Sequence, residues 1–119
     1  IIVKMSIVPV CREKYYNILM EIMERKPVFI VSSNSCHYCT KAKNLLKAEN
    51  VEVEELNFDD YSESDRTELG HCIYGAMPRR FVPFLFVNKT PLGSYSELEK
   101  AKEDGLLKTL ATKQGDGIL

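Results

Sequence analysis

Two cysteines, Cys36 and Cys39, stand where an apolar run hands over to a helical pattern, and that junction constrains the fold most. The run is Val28-Phe29-Ile30-Val31, which reads as a strand covered on both faces. The segment after Cys39, from Thr40 to Ala48, has helical spacing, with Ala42, Leu45 and Leu46 on one stripe and Lys41, Lys43 and Lys47 facing water. A Cys-x-x-Cys between a strand and a helix reads as a redox pair rather than half a zinc site. The first amide groups of a helix lack internal partners and carry partial positive charge, which favours a thiolate at Cys36. Cys39, one turn further in, is expected to be more buried and placed to attack a mixed disulfide on Cys36. Structural zinc is the competing use, but it needs about four ligands, and neither His71 nor Cys72 belongs to a second Cys-x-x-Cys.

With 119 residues, 45% of them hydrophobic, the chain can bury one core, and a single domain over residues 1–119 is expected. A net charge of −1 argues against nucleic-acid binding. Nine acids fall between Glu49 and Glu68 against Arg66 alone, which reads as a solvated face in preference to a docking surface. The remaining cysteines, Cys11 and Cys72, are expected to be ordinary buried or free thiols, because four cysteines so spaced do not suggest a secreted disulfide scaffold. A reducing compartment follows, cytoplasmic in the first instance with an organelle not excluded. No apolar run approaches the roughly 20 residues of a membrane span, and those near the start are too short for a signal peptide.

In chain order, residues 1–11 form a loose lead-in and residues 12–26 an amphipathic helix that Pro27 ends. The core spans residues 27–110 and a polar, frayed tail residues 111–119. Residues 51–58 alternate as a strand whose phase breaks at Glu54-Glu55, so it bulges or begins late. Ser62 caps the next helix, with Asp65 in its first turn; Gly70 and Gly75 weaken the far end. A loop runs through Met77-Pro78-Arg79-Arg80. Pro83 lacks a ladder donor and should start the strand that continues Phe84-Leu85-Phe86-Val87. Asn88-Lys89-Thr90 reads as a hairpin turn into a short return strand. Ser96 is expected to cap the last helix, with Glu99 completing a capping box, and Gly105 to break it. The result is an α/β fold: a mixed sheet of four strands, helices on both faces and an extra helix in front.

Three motifs now point one way. Cys36-His37-Tyr38-Cys39, Arg80-Phe81-Val82-Pro83 and Gly93-Ser94-Tyr95-Ser96-Glu97-Leu98 together resemble the active-site, Val-Pro and last-helix motifs of the glutaredoxins, over about residues 27–110. The resemblance implies a thioredoxin-like fold with a central mixed four-stranded sheet. It implies a glutathione-dependent thiol–disulfide oxidoreductase that reduces protein–glutathione mixed disulfides and protein disulfides, with Cys36 and Cys39 catalytic. Tyr38, Arg80, Val82, Pro83, Ser96 and Glu97 are its implied glutathione-binding residues, with a cis Pro83 presenting the Val82 backbone to the tripeptide. The helix start at Ser96 and Glu97 would meet the glutamyl end. The partners implied are glutathione and glutathionylated or disulfide-bonded proteins, the protein acting as a monomer. Two departures stand out. Ser33 replaces the family's usual lysine, a charge that Arg80, Lys41 or Lys89 could supply, and His37 replaces the active-site proline. The alternative that His37 raises is a [2Fe–2S] cluster held between two chains by Cys36 and glutathione; otherwise no metal is expected.

Overall fold

The computed structural model describes residues 11–75 and 80–116, with side chains as far as Ala111. The lead-in over residues 1–10 and the loop at residues 77–79 lie outside the described residues. The elements run α1 (Glu13–Met23), β1 (Val28–Ser32), α2 (His37–Ala48), β2 (Val53–Asn57), a 3₁₀ turn (Phe58–Asp60), α3 (Glu63–Tyr74), β3 (Phe84–Val87), β4 (Thr90–Gly93), α4 (Tyr95–Glu103) and α5 (Leu106–Asp116).

The sheet order is β2-β1-β3-β4. β1 pairs parallel with β2 and antiparallel with β3, and β3 antiparallel with β4, with a register shift at Leu85/Phe86. This is the mixed sheet expected from the sequence. All five residues of β1 are buried, and the two-residue repeat of a strand sends them to opposite faces. Phe29 and Val31 join Leu19, Met23, Leu69 and Tyr74 under α1 and α3. Val28 and Ile30 join Ala42, Leu46, Leu98 and Leu107 under α2, α4 and α5. Each fully buried Leu or Phe contributes roughly 1.5–3 kcal/mol, so the two clusters fix the helices to their faces.

Local signals hold in most places. β2 begins late, at Val53, while Val51 is buried ahead of it. Ser62 Oγ accepts from the Asp65 amide at 3.2 Å. Asn88 and Lys89 both take positive φ, as a two-residue hairpin loop between β3 and β4 requires. Gly105, at φ +86°, separates α4 from α5. Four readings are corrected. The N-cap of α4 is Ser94 with Glu97 as its box partner, not Ser96 with Glu99. The helix starts directly after Gly93, whose φ of +128° turns the chain out of β4. Helix α1 stops at Met23, four residues before Pro27. The backbone stays helical to Asp116, past the expected end at Leu110, since no proline interrupts that run.

The fourth correction concerns Cys11 and Cys72. They are bonded to each other, with Cα atoms 4.5 Å apart across a sequence separation of 61. Neither is a free thiol. No local pattern could announce this, because the pairing is made by the docking of α1 on α3.

Five of the nine acids from Glu49 to Glu68 face cations brought in from elsewhere. Glu49 faces Lys102 (3.9 Å), Glu52 faces Lys26 (3.1 Å) and Glu54 faces Arg25 (3.3 Å). Glu55 faces Lys43 (2.9 Å) and Glu68 faces Arg12 (3.2 Å).

Candidate functional site

Cys36 is the N-cap of α2, in extended backbone, and its Sγ accepts the Cys39 amide at 3.0 Å. A sulfur thus does what a serine or aspartate oxygen does at other helix starts, filling one of the unpartnered N–H groups. Cys36 and Cys39 are disulfide-bonded, with Cα atoms 5.2 Å apart. Cys36 is half-buried, whereas Cys39 is 1% exposed. The asymmetry fits an outer cysteine that meets partners and an inner one that only its neighbour can reach.

The loop that carries Cys36 is held from β2 and the turn after it. The Asn34 amide donates to Asp59 Oδ2 at 2.6 Å, and Asn57 Nδ2 donates to Asn34 Oδ1 at 2.8 Å. Behind the loop, buried Ser32 donates to Glu55, which also accepts from Lys43 of α2 at 2.9 Å. Burial pushes the Glu55 carboxyl up, but the bonds from Ser32 and Lys43 and the lysine charge outweigh it and hold the carboxyl below its ordinary range. Ser32 and Lys43 share one acceptor, so the end of β1 and the middle of α2 are tied across the cysteine loop.

Val82-Pro83 is a cis peptide, as expected, directly before β3. Two hollows meet at Val82. One, about 430 Å³, is lined by Tyr38, Lys41, Val82, Pro83, Tyr95 and Ser96, among others. The other, about 420 Å³, is lined by Ser33, Arg66, Tyr74, Arg80, Phe81 and Val82, with Phe58, Glu63 and Thr67. The segment from Ser33 to Tyr38, with Cys36 inside it, therefore runs from one lobe to the other.

The sequence-based candidates divide accordingly. Tyr38, Val82, Pro83 and Ser96 share the first lobe, while Arg80 shares the second lobe with Val82. Glu97 lines neither. Its carboxylate accepts from the Ser94 amide (2.7 Å) and Ser94 Oγ (2.6 Å), and these bonds hold it below the ordinary carboxylate range. Ser33 does line the second lobe, so the site lacks a lysine where the family usually has one. Among the described residues, the cations lining the lobes are Arg80 and Arg66 in the second and Lys41 in the first; Lys89 belongs to the far hairpin, beside Glu24 at 3.0 Å.

Three features escaped the sequence. Arg66 stood out only as the lone cation in an acidic run. Tyr95 tilts against Tyr38 with ring centroids 5.5 Å apart, and Lys41 Nζ lies 5.1 Å and 5.2 Å from the two ring centres. Such a cation-over-ring cluster fixes a flexible lysine at the rim of the first lobe. Tyr74 donates to the Phe81 carbonyl from α3 and stacks on Phe84, anchoring the chain just ahead of the cis peptide. Burial pushes its hydroxyl up to about 12, against the Phe81 bond and the Arg80 charge. His37 projects into solvent at the first position of α2, its ring edge-on to Tyr38 at 5.6 Å. Among the described residues, no three His, Cys, Asp or Glu side chains converge on a metal-sized site.

Comparison with known proteins agrees with this geometry. The glutaredoxin family model matches residues 28–91. The chain is 36% identical over 93 residues to mitochondrial glutaredoxin-2 of Bos taurus, a match covering 76% of this chain and 57% of that protein. The chain thus spans little more than half the length of its mammalian relatives. The fold superposes on wheat glutaredoxin with a TM-score of 0.74, at 23% identity and covering 87% of this chain and 96% of that one. It superposes on a buckwheat glutaredoxin–glutathione complex with a TM-score of 0.70, at 20% identity and covering 87% and 96%. From the strand before Cys36 to the hairpin after the cis proline, the chain belongs to the glutaredoxin family.

Proposed function

We propose that the protein is a glutathione-dependent thiol–disulfide oxidoreductase acting on protein–glutathione mixed disulfides and protein disulfides. The observation that carries this reading is the arrangement of the dithiol and the groove. A sulfur that caps a helix lies on the segment joining two lobes, and the lobes meet at the Val82 backbone. One lobe has the start of α4 and Lys41; the other has Arg66 and Arg80. A tripeptide with a carboxylate at each end and a sulfur in the middle suits that layout. The buckwheat relative with glutathione bound supports the choice of ligand.

In this reading Cys36, once reduced, is a thiolate stabilised by the Cys39 amide and the helix terminus. It attacks the glutathione sulfur of a mixed disulfide. The substrate thiolate leaves and takes a proton from water. Cys36 then carries glutathione, with Val82 and the flanking lobes holding the peptide. A second glutathione thiolate attacks that sulfur, releases glutathione disulfide and regenerates the Cys36 thiolate. With a protein disulfide, Cys39 instead attacks Cys36, and the pair leaves oxidised until two glutathiones reduce it. Glu97 acts through the first turn of α4 rather than as a direct ligand. A monomer in a reducing compartment suits this chemistry.

The test is glutathione-coupled reduction of a small glutathione mixed disulfide by the wild type, Cys36→Ser and Cys39→Ser. Turnover is expected in the wild type and Cys39→Ser, with loss of at least 100-fold in Cys36→Ser. Activity surviving in Cys36→Ser would show that the roles are reversed or the site is another.

A further inference from the structure

We propose that Cys11 and Cys72 form a second thiol–disulfide couple, separate from Cys36–Cys39, that fastens α1 to α3 when oxidised and thereby shapes the Arg66 lobe of the groove. The bond joins the residue before the Arg12 N-cap of α1 to the last turn of α3. It does not stand alone. Tyr15 donates to Asp65 Oδ1 at 2.7 Å, and Arg12 Nε faces Glu68 Oε1 at 3.2 Å. Asp65, Glu68 and Cys72 are spaced three and four apart, one stripe along α3. The start of α1 is thus laid along that stripe through a hydrogen bond, an ion pair and a covalent bond. Arg12 is largely exposed, so the ion pair adds little by itself. The C-terminal half of α1 is held differently, by Leu19 and Met23 in the core. Breaking the disulfide should loosen the first turn of α1 and leave the rest docked.

The opposite side of α3 bears on the groove. Arg66, Thr67 and Tyr74 line the second lobe, and Tyr74 holds the Phe81 carbonyl immediately before Val82. Cys72 shares the last turn of α3 with Tyr74 but sits on the stripe that meets α1, so whatever ties or frees it bears on the orientation of the helix. Cys11 and Cys72 are each half-buried, Cys72 beside the core under α1 and α3, which leaves the bond partly exposed to small thiols and disulfides. The exchange is balanced by the glutathione couple. One cysteine thiolate attacks glutathione disulfide and expels one glutathione. The other attacks the resulting mixed disulfide and expels the second. Two thiol hydrogens are lost from the protein and two glutathione thiols are formed.

The experiment equilibrates the full chain across glutathione/glutathione-disulfide ratios, and in parallel across dithiothreitol ratios. Thiols are then trapped by alkylation and the peptides mapped by mass. A linked Cys11–Cys72 peptide is expected to appear and vanish reversibly along the series. Hydrogen exchange should slow at least tenfold on oxidation at the first turn of α1 and at residues 69–74, with little change at residues 19–23. Cys11→Ser and Cys72→Ser, both outside the dithiol site, should each lack the linked peptide and exchange at the reduced rate under all ratios. Two free thiols at the most oxidising ratio, separate glutathionylation without a link, or a link that leaves exchange unchanged would each overturn the proposal. The readout is mass rather than turnover, and the dithiothreitol series contains no glutathione. Failure of glutathione to serve the Cys36 site therefore leaves this test intact.

Discussion

Gly70→Ala should make the protein more stable and a poorer user of glutathione at once. Gly70 is buried within α3, and a Cβ built there falls 2.7 Å from Arg80 Nη1 and 2.9 Å from Arg80 Cζ. The guanidinium must retreat by roughly 0.7 Å to reach an ordinary contact distance. Arg80 is the exposed end of a flexible side chain, so the retreat costs little. Replacing a mid-helix glycine by alanine gains about 0.8–1.0 kcal/mol in helix propensity. The net is a gain of about 0.5–1 kcal/mol, or about 2–5 °C in Tm. The displaced Arg80 is, in the proposed function, a carboxylate partner, and a charge-assisted hydrogen bond is worth about 1.5–3 kcal/mol when well placed. Losing part of it should raise KM for glutathione about three- to tenfold with kcat little changed. Thermal melts and steady-state kinetics on Gly70→Ala, Arg80→Ala and the double variant decide the matter. The two changes should not add in KM, since both remove one contact. A raised Tm with unchanged KM would refute the role given to Arg80. A fall in Tm would refute the premise that the guanidinium can move aside.

Cys72→Ser should cost about 4 kcal/mol of stability under oxidising conditions, from loop-closure entropy over a separation of 61. Under reducing conditions it should cost almost nothing, and urea midpoints in both buffers check this. Glu55 sets an acid-side dependence: its folded carboxyl is held below the unfolded value, so its contribution is complete above about pH 4.3 and disappears as pH falls through the lower folded value. Because the side chain is 31% exposed, the contribution should stay under about 1 kcal/mol, seen as a flatter urea-midpoint profile between about pH 5 and 3 in Glu55→Gln. Anaerobic incubation with iron, sulfide and glutathione should leave a colourless monomer by absorbance and size exclusion. A coloured dimer that bleaches when glutathione is removed would make Cys36 a cluster ligand instead.

The local readings were legible because their physics is local. A strand buried on both faces is a run of apolar residues, and the pattern of Val28 to Val31 shows it without reference to any partner. The helix start at Cys36, the hairpin at Asn88-Lys89, the proline before β3 and the break at Gly105 each depend on backbone preferences within a few residues. Motif spacing extended this to the pairing of Cys36 with Cys39 and to the family. Even a local signal could mislead by two residues: both Ser94 and Ser96 stand three before a glutamate, and only the exit from Gly93 chose Ser94. The tertiary structure decided what depends on distant segments meeting. Cys11 found Cys72 because α1 docks on α3, a proximity that a sequence separation of 61 conceals. Gly70 looked like a weakness in a helix, yet it is the space that Arg80 occupies. The groove itself is of this kind. Its two lobes draw on α2, α3, α4 and the chain before β3, and they meet at Val82 only because the sheet brings those elements to one end.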